Sequence, residues 1–153
     1  HGLENSEVKK LTPEKQAELT LYRLKDGRLY QPADHIHASL IQASTEYRLQ
    51  GKGKKTYREL ITHGIKITPE RVPHKIQEWK ADSRRGVLNK KSSIIAHRGI
   101  LPKWRLTFGI LVNDNRIDLK TLRGIVEYAG RYKAIGTYRQ KFGKFKIAKF
   151  DHE

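Results

Sequence analysis

The sequence predicts an α+β fold, and three observations support that class. Apolar residues recur at helical spacing in two stretches, whereas residues 103–112 alternate between apolar and polar as a half-buried strand does. Hydrophobic residues make up 37% of the 153 residues, enough for a core and too many for wholesale disorder. A chain of this length can bury roughly 70% of its unfolded surface without a disulfide or metal staple. We therefore expect a single domain over residues 1–153.

The first half of the chain is predicted to be mainly helical. Residues 12–14, Thr-Pro-Glu, supply an N-cap, a first-turn proline and an early acid, which begin a short helix reaching about Leu21. A turn at 25–28 leads into a short extended piece before Pro32. A second helix starts at Ala33 and ends before Gly51, with a buried stripe formed by Ile36, Leu40, Ala43 and Tyr47. Residues 56–59 have the capping-box pattern, which predicts a third helix ending at Gly64.

The second half is predicted to contain the strands. Residues 76–88 have no sustained apolar face and are typical of irregular structure or a weak strand, whereas 93–97 and 103–112 are predicted to pair across 98–102. The apolar face of the second strand is formed by Trp104, Leu106, Phe108, Ile110 and Val112. Asp118 can cap a helix that ends at Gly130 or, as the alternative, one turn further along, with a buried stripe formed by Leu119, Leu122, Ile125, Val126 and Ala129. A last strand is expected over 145–150.

The charge is large and unevenly placed. Lys and Arg number 32 against 16 acidic residues, a formal charge of +16 with a pI near 10.1, which favours an acidic partner. Residues 1–34 carry six basic and six acidic side chains, so the whole excess lies beyond them. The most one-sided stretch contains seven basic residues and no acid, and they are Arg131, Lys133, Arg139, Lys141, Lys144, Lys146 and Lys149. An acid-free run of this length is costly to keep without a partner.

Several function classes are excluded or disfavoured. The sequence has no Cys, which removes disulfides, thiolate nucleophiles and Cys-based metal sites. It has no phosphate-loop, His-Glu-x-x-His or paired-carboxylate pattern, so we expect no cofactor and no metal site. It has no apolar run of bilayer length and no signal-peptide core, so we expect no membrane partner and a cytoplasmic location. A truncated N-terminus is an open alternative, because the chain starts at His1 and contains no Met.

The predicted order of elements points to a particular α+β arrangement. The predicted elements follow in the order helix, strand, strand, helix and strand, with a basic, glycine-containing loop before the last strand. These are five of the six elements of a βαββαβ unit, the ferredoxin-like or RRM-like fold. In that fold an antiparallel sheet carries its helices on one face, and here it would carry basic loop insertions. The stretch GRYKAIGTYRQKFGKF, residues 130–145, resembles the glycine loop of the CRISPR-associated RAMP superfamily, and YQPADHI, residues 30–36, resembles the loop that leads those proteins into their first helix.

This resemblance covers residues 29–150 as a RAMP-like core and leaves 1–28 as a weakly attached helical segment. It implies a prokaryotic or phage-encoded protein that takes part in antiviral defence, or a phage or mobile-element relative of such proteins. It also implies non-catalytic binding of single-stranded RNA or DNA along the phosphate backbone, with a guide RNA among the candidates. The further partners it implies are copies of the chain itself or other subunits of a ribonucleoprotein.

The residues support nucleic-acid binding independently of the resemblance. Glycines allow backbone N–H groups to approach a phosphate, basic side chains supply charge, and interleaved aromatic rings can stack on unpaired bases. In the segment 130–145, the glycine loop, the candidate residues are Arg131, Tyr132, Lys133, Gly136, Tyr138, Arg139, Lys141, Gly143 and Lys144. Secondary candidates are Lys52, Lys54, Lys55, Arg84, Arg85, Lys90, Lys91 and Arg98. The alternative is that Tyr132 and Phe142 anchor the loop on the core and the basic residues are merely solvated.

Two other functions remain open at this point. A metal-independent endoribonuclease of the same fold would use a His to accept the proton of the 2′-hydroxyl, and the weak candidates are His35, His37 and His97. A ribosome-associated structural protein would use the same basic charge to bind folded RNA.

Overall fold

Helices and short antiparallel pairs of strands make up the computed structural model, which describes residues 5–89, 92–136, 139 and 142–153. The helices are α1 (Asn5–Val8), α2 (Pro13–Glu18), α3 (Ala33–Ser44), α4 (Arg58–Gly64) and α5 (Leu119–Tyr128), followed by a π-helix (Ala129–Lys133). The strands are β1 (Tyr30–Pro32), β2 (Ile65–Thr68), β3 (Arg71–Pro73), β4 (Lys80–Asn89), β5 (Ser92–Ile100) and β6 (Gly109–Val112). The hydrogen-bonded neighbours are β1 with β3, β2 with β6, and β4 with β5. The predicted mixture of helices and antiparallel strands is therefore confirmed at the level of class.

The chain forms two compact units, and each is assembled from two separate stretches. The first unit consists of His1–Tyr30 and Pro73–Thr107, and the second of Gln31–Val72 and Phe108–Glu153. No helix in the described part of the chain is long and apolar enough to cross a bilayer.

The first unit is organised around the β4–β5 hairpin. Its strands pair antiparallel from Lys80 opposite Ile100 onward, with a register shift close to the turn. The α2 helix begins as predicted, because the Thr12 hydroxyl accepts a hydrogen bond from the Lys15 N–H (3.3 Å). The segment after α2 lies against the hairpin, where the Thr20 hydroxyl accepts from the Gly99 N–H (2.9 Å). Thr20 therefore contacts β5 at Gly99, a position where an added Cβ would overlap the Leu21 side chain.

The second unit contains a core formed by three helices and the β2–β6 pair. Ile65 lies opposite Val112 in this pair, and along β2 the two isoleucines are buried while Lys66 between them is exposed. The largest fully buried side chains of this unit are Ile36, Leu40, Ile61, Leu122, Ile125 and Val72. The α5 N-cap is confirmed, since the Asp118 carboxylate accepts from the Thr121 N–H (3.1 Å).

The ends of two predicted helices are wrong in detail. The α3 helix stops at Ser44, whose hydroxyl donates back to the Ile41 carbonyl (2.6 Å), so Tyr47 lies beyond the helix. The predicted capping box at 56–59 does not form, because Tyr57 is the N-cap of α4 and makes no side-chain capping bond. The Thr56 hydroxyl accepts instead from the Arg58 N–H (3.3 Å), which is the local turn that Thr also favours.

The predicted strand pairing is also wrong. Residues 93–97 belong to β5, which pairs with β4, whereas only Gly109–Val112 of the predicted 103–112 strand is assigned, and it pairs with β2. The alternating pattern indicates a half-buried segment but contains no information on its partner. The described side chains of β4 are all half-buried or exposed, which explains why its sequence shows no apolar periodicity. The strand is formed by its backbone hydrogen bonds to β5. The strand predicted over 145–150 is not formed, although these residues are described.

Candidate nucleic-acid interface

The helical structure that starts with α5 continues past Gly130, which is the second of the two predicted ends, and the added turn is a π-helix. The Ala134 N–H donates to the Ala129 carbonyl (2.7 Å), which is the five-residue spacing of a π turn. Ala134 takes φ 59° and ψ 177°, a region that is nearly confined to glycine and costs about 1–3 kcal/mol. Such turns and such strained residues concentrate at functional sites. The widened turn presents Arg131 and Tyr132 to solvent while Ala129 and Gly130 stay buried.

The glycine loop starts within this π-helix and is closed at its base by two backbone hydrogen bonds. The Phe145 N–H donates to the Gly130 carbonyl and the Ile135 N–H donates to the Gly143 carbonyl, both at 3.0 Å. Gly143 has φ +80°, and a Cβ on it would overlap the Ile135 carbonyl. A Cβ on Gly130 would overlap the Phe145 carbonyl in the same way. Both glycines are therefore required for the two arms of the loop to approach.

Three tyrosines form a cluster where the loop begins. The rings of Tyr128 and Tyr132 are 4.6 Å apart between centroids and tilted by 43°, and Tyr47 meets Tyr128 edge-on at 6.3 Å. Tyr132 remains 59% exposed, so the alternative in which it anchors the loop on the core is wrong. Phe142 is half-buried, as that alternative expects. We call Tyr47, Tyr128 and Tyr132 the tyrosine cluster.

Two basic side chains contact the tyrosine cluster, and two more lie on the same loop. The Arg131 guanidinium lies 5.9 Å from the centre of the Tyr132 ring, and the Lys133 ammonium lies 6.0 Å from that of Tyr128, within reach of cation–π attraction. Arg139, on the returning arm of the glycine loop, donates to the Gln42 side-chain oxygen on α3 (3.2 Å). Lys144 is exposed. Four of the predicted basic residues therefore lie on the described arms of this loop.

The phenols of Tyr47 and Tyr128 stay neutral at physiological pH, because the pKa of each is raised. Loss of solvent contact raises the pKa of Tyr128 above its ordinary value, and the Glu46 carboxylate adds to the shift. Burial also raises the pKa of Tyr47, with Glu127 as the next cause. Glu127 is itself paired with Arg123 (3.1 Å). The rings can therefore contact a polyanion without carrying negative charge of their own.

A second basic loop has its base at the same cluster. Residues 49–55, the lysine loop, are closed by a bridge between Arg48 and Thr56 and by a hydrogen bond from the Leu49 N–H to the Lys55 carbonyl (2.9 Å). At this base the Tyr57 N–H donates to the Tyr47 carbonyl (2.8 Å). The three lysines of the loop, Lys52, Lys54 and Lys55, are exposed. Tyr47 thus joins the lysine loop to the tyrosine cluster.

Three further predicted basic residues, Arg84, Arg85 and Arg98, lie in the first unit. Arg84 forms an ion pair with Asp82 (2.6 Å), and Asp82 lies opposite Arg98 in the β4–β5 ladder. Arg85 and Arg98 are exposed. Four predicted site residues fall outside the described residues, namely Tyr138, Lys141, Lys90 and Lys91. The predicted set is therefore divided between a loop site in the second unit and a hairpin in the first.

The three histidines considered for catalysis make hydrogen bonds within the protein. His37 donates through Nε2 to the Ile61 carbonyl (2.7 Å), and His35 Nδ1 accepts from the Gln31 amide (2.9 Å). His97 Nδ1 shares a hydrogen bond with the Ser83 hydroxyl (2.6 Å) on the hairpin of the first unit. Over the part of the chain that the structure describes, no group of three or more His, Asp or Glu side chains could hold a metal ion.

Sequence reasoning missed Tyr47 and Tyr128 as members of the site. The four-residue spacing of Tyr128 and Tyr132 along a continuing helix is a local signal that indicates one face. The contact of Tyr47 with Tyr128 joins residues far apart in sequence, and no local pattern predicts it.

No protein-family model, curated protein or solved structure matches the chain.

Proposed function

We propose that the protein binds single-stranded nucleic acid, RNA in the first place, through the glycine loop and the tyrosine cluster, and does so without catalysis. The observation that carries this proposal is the exposed Tyr132 ring at the base of the loop, supported by Tyr128 and flanked in sequence by Arg131 and Lys133. Unpaired bases stack on such rings, and the basic groups attract the phosphates beside them. A duplex keeps its bases stacked on one another, so this combination favours a single strand.

The local charge supports the same ligand. Residues 131–149 contain no acid, and the carboxylate of Glu127 beside the cluster is engaged by Arg123. The Glu46 carboxylate, which also acts on Tyr128, is outnumbered by the basic side chains of the two loops. A strand that neutralises these cations releases counterions, which makes binding strong at low salt and weak at high salt.

We also propose that the second unit is a ferredoxin-like module of the RAMP type. Several of its elements support this: helix α3, the antiparallel strands β2 and β6, helix α5 and the glycine loop follow in that order, with α4 added between α3 and β2, and β3 added after β2. In sequence the β4–β5 hairpin is an insertion between β2 and β6.

Labelled single-stranded RNA incubated with the protein in EDTA, and run on native and denaturing gels, tests the proposed function. We expect a shifted band on the native gel and intact RNA on the denaturing gel. Cleavage that disappears on substituting His35, His37 or His97 would support an endoribonuclease instead, and a preference for folded RNA would support a structural RNA-binding protein. No shift at low salt would contradict all three.

The salt dependence of binding tests the location of the site. Each cation that no longer neutralises a phosphate of a single strand lowers the log–log salt slope by about 0.7. Replacing Arg131, Lys133, Arg139 and Lys144 together by Gln should therefore lower the slope by up to about 3 and weaken binding. An unchanged slope would place the site elsewhere.

A further inference from the structure

We infer that Tyr132 is the stacking platform for one base of the bound strand and that the lysine loop holds neighbouring phosphates of the same strand. This inference rests on the proposed function and deepens it. It assigns a role to the tyrosine cluster as a unit and joins the two basic loops of the second unit into one path.

The platform is held in place before any ligand binds. Tyr132 contacts Tyr128 at 4.6 Å, and Tyr128 is braced edge-on by Tyr47. Tyr47 in turn lies over Gly124, where an added Cβ would come within 3.0 Å of its hydroxyl oxygen. The absence of a side chain at Gly124 therefore makes room for the Tyr47 ring, which supports Tyr128 and, through it, Tyr132. A ring fixed in advance loses little conformational freedom when a base stacks on it.

The exposed surface of Tyr132 fits a base rather than the protein core. Tyr132 is 59% exposed although its ring packs against that of Tyr128, so the side chain remains accessible to a ligand. The Arg131 guanidinium, 5.9 Å from the ring centre, is positioned for the phosphate of a stacked nucleotide. A planar, neutral, π-bearing group attached to an anion is what this pair would recognise.

The lysine loop extends the same surface. Its base includes Tyr47, whose carbonyl accepts from the Tyr57 N–H (2.8 Å), so the loop and the cluster share a residue. Gly51 and Gly53 both have positive φ (71° and 64°), which turns the backbone tightly and leaves all three lysines outside. Three exposed cations on a loop whose base includes Tyr47 favour the sugar-phosphate chain that continues from the stacked nucleotide.

Two oligonucleotides of equal length, oligouridine and an abasic chain of the same sugar-phosphate units, separate stacking from charge. Tyr132→Ala should lower affinity for oligouridine about fivefold or more and leave affinity for the abasic chain unchanged, because the variant removes the stacking ring and keeps the basic side chains. Tyr132→Phe should bind both as the wild type does. The matched control is Tyr22→Ala. Tyr22 is also an exposed tyrosine (47%) packed against another, since its ring centroid lies 5.8 Å from that of Tyr30, but it belongs to the first unit. It should change neither affinity.

The failures are distinguishable. If the wild-type protein binds neither oligonucleotide, the proposed function fails. If it binds both and Tyr132→Ala either has no effect or lowers both affinities equally, the proposed function stands and the stacking platform is overturned.

The lysine loop is tested on an oligouridine of about 15 nucleotides, near the upper end of single-strand site sizes. Replacing Lys52, Lys54 and Lys55 by Gln should lower the salt slope by about 2 in a one-to-one complex. The control replaces three exposed lysines outside the site, Lys9, Lys10 and Lys15, and removes the same charge. Equal slopes for the two triple variants, or no change from wild type, would overturn the single path.

Discussion

The two units of this protein carry the same net charge but differ in where their basic side chains lie. The first unit has 15 basic and 7 acidic residues and the second has 17 and 9, so each has a formal charge of +8. In the first unit the described members of the predicted set, Arg84, Arg85 and Arg98, lie on the paired strands β4 and β5, where Arg84 is paired with Asp82. In the second they lie on glycine-containing loops around three tyrosine rings. Net charge alone therefore does not distinguish the two units, whereas the grouping of basic loops with a cluster of three tyrosine rings does.

The two units also differ in the backbone conformations that their basic segments require. The hairpin ladder needs no special conformation between Lys80 and Val87. The base of the glycine loop needs a π turn, a positive φ at Ala134 and two glycines in close contact with carbonyl groups. Strain of this kind persists only where the surrounding structure holds it, and it is typical of functional sites.

The largest expected effect concerns Gly143 at the base of the glycine loop. Gly143→Ala should destabilise the protein by about 2–4 kcal/mol, because the new methyl group overlaps the Ile135 carbonyl and the φ of +80° is itself unfavourable. Chemical denaturation followed by circular dichroism measures the decrease in stability, and the RNA gel shift should weaken as well.

Gly136→Ala is the matched control for that substitution. Gly136 has φ +107° but nothing within 4 Å of an added Cβ, so this variant introduces the backbone strain without the overlap. It should be destabilised by about 1 kcal/mol, consistent with strain alone. Equal destabilisation of the two variants would show that closure of the loop base does not depend on the Ile135–Gly143 approach.

The next prediction compares how much the salt slope of RNA binding falls when four positive charges are removed from either unit. Replacing Lys80, Arg84, Arg85 and Arg98 of the hairpin by Gln removes as much charge as the four-residue loop variant. We expect the salt slope for single-stranded RNA to fall by less than about 1, against up to about 3 for the loop, because the hairpin offers charge without a stacking surface. If the slope falls equally in the two four-residue variants, the hairpin is part of the interface and the contrast between the units fails.

A feature of the fold or of the candidate site can be predicted from sequence when the residues that determine it lie close together along the chain. The Thr12 and Asp118 caps and the α3 start are local and predictable, since capping depends on residues within one turn. The pairing of β6 with β2 is not, because alternation is the same whichever strand lies alongside. Composition locates the glycine loop, but the π turn at its start and the contact of Tyr47 with Tyr128 depend on tertiary packing.

The smallest expected effect is a pH dependence confined to the first unit. His74 is buried there, burial lowers the pKa of its imidazole, and its Nδ1 has no hydrogen-bond partner among the described residues. The unfolded chain therefore binds a proton more readily, so stability is fully present above pH ~6.5 and falls as the pH drops below that value. One such group contributes at most about 1.4 kcal/mol per pH unit.

His74→Leu should remove this component of the pH dependence, and it should raise stability at pH 5 relative to the wild type because the uncharged side chain needs no partner. Both tryptophans, Trp79 and Trp104, lie in the first unit, so tryptophan fluorescence during urea unfolding at pH 7.5 and pH 5 reports on the relevant part of the chain. The exposed His152 of the second unit provides the control, since His152→Gln should leave the wild-type pH dependence intact. If the stability of His74→Leu falls as much between the two pH values as that of the wild type, the acid sensitivity resides elsewhere and burial of His74 is not its cause.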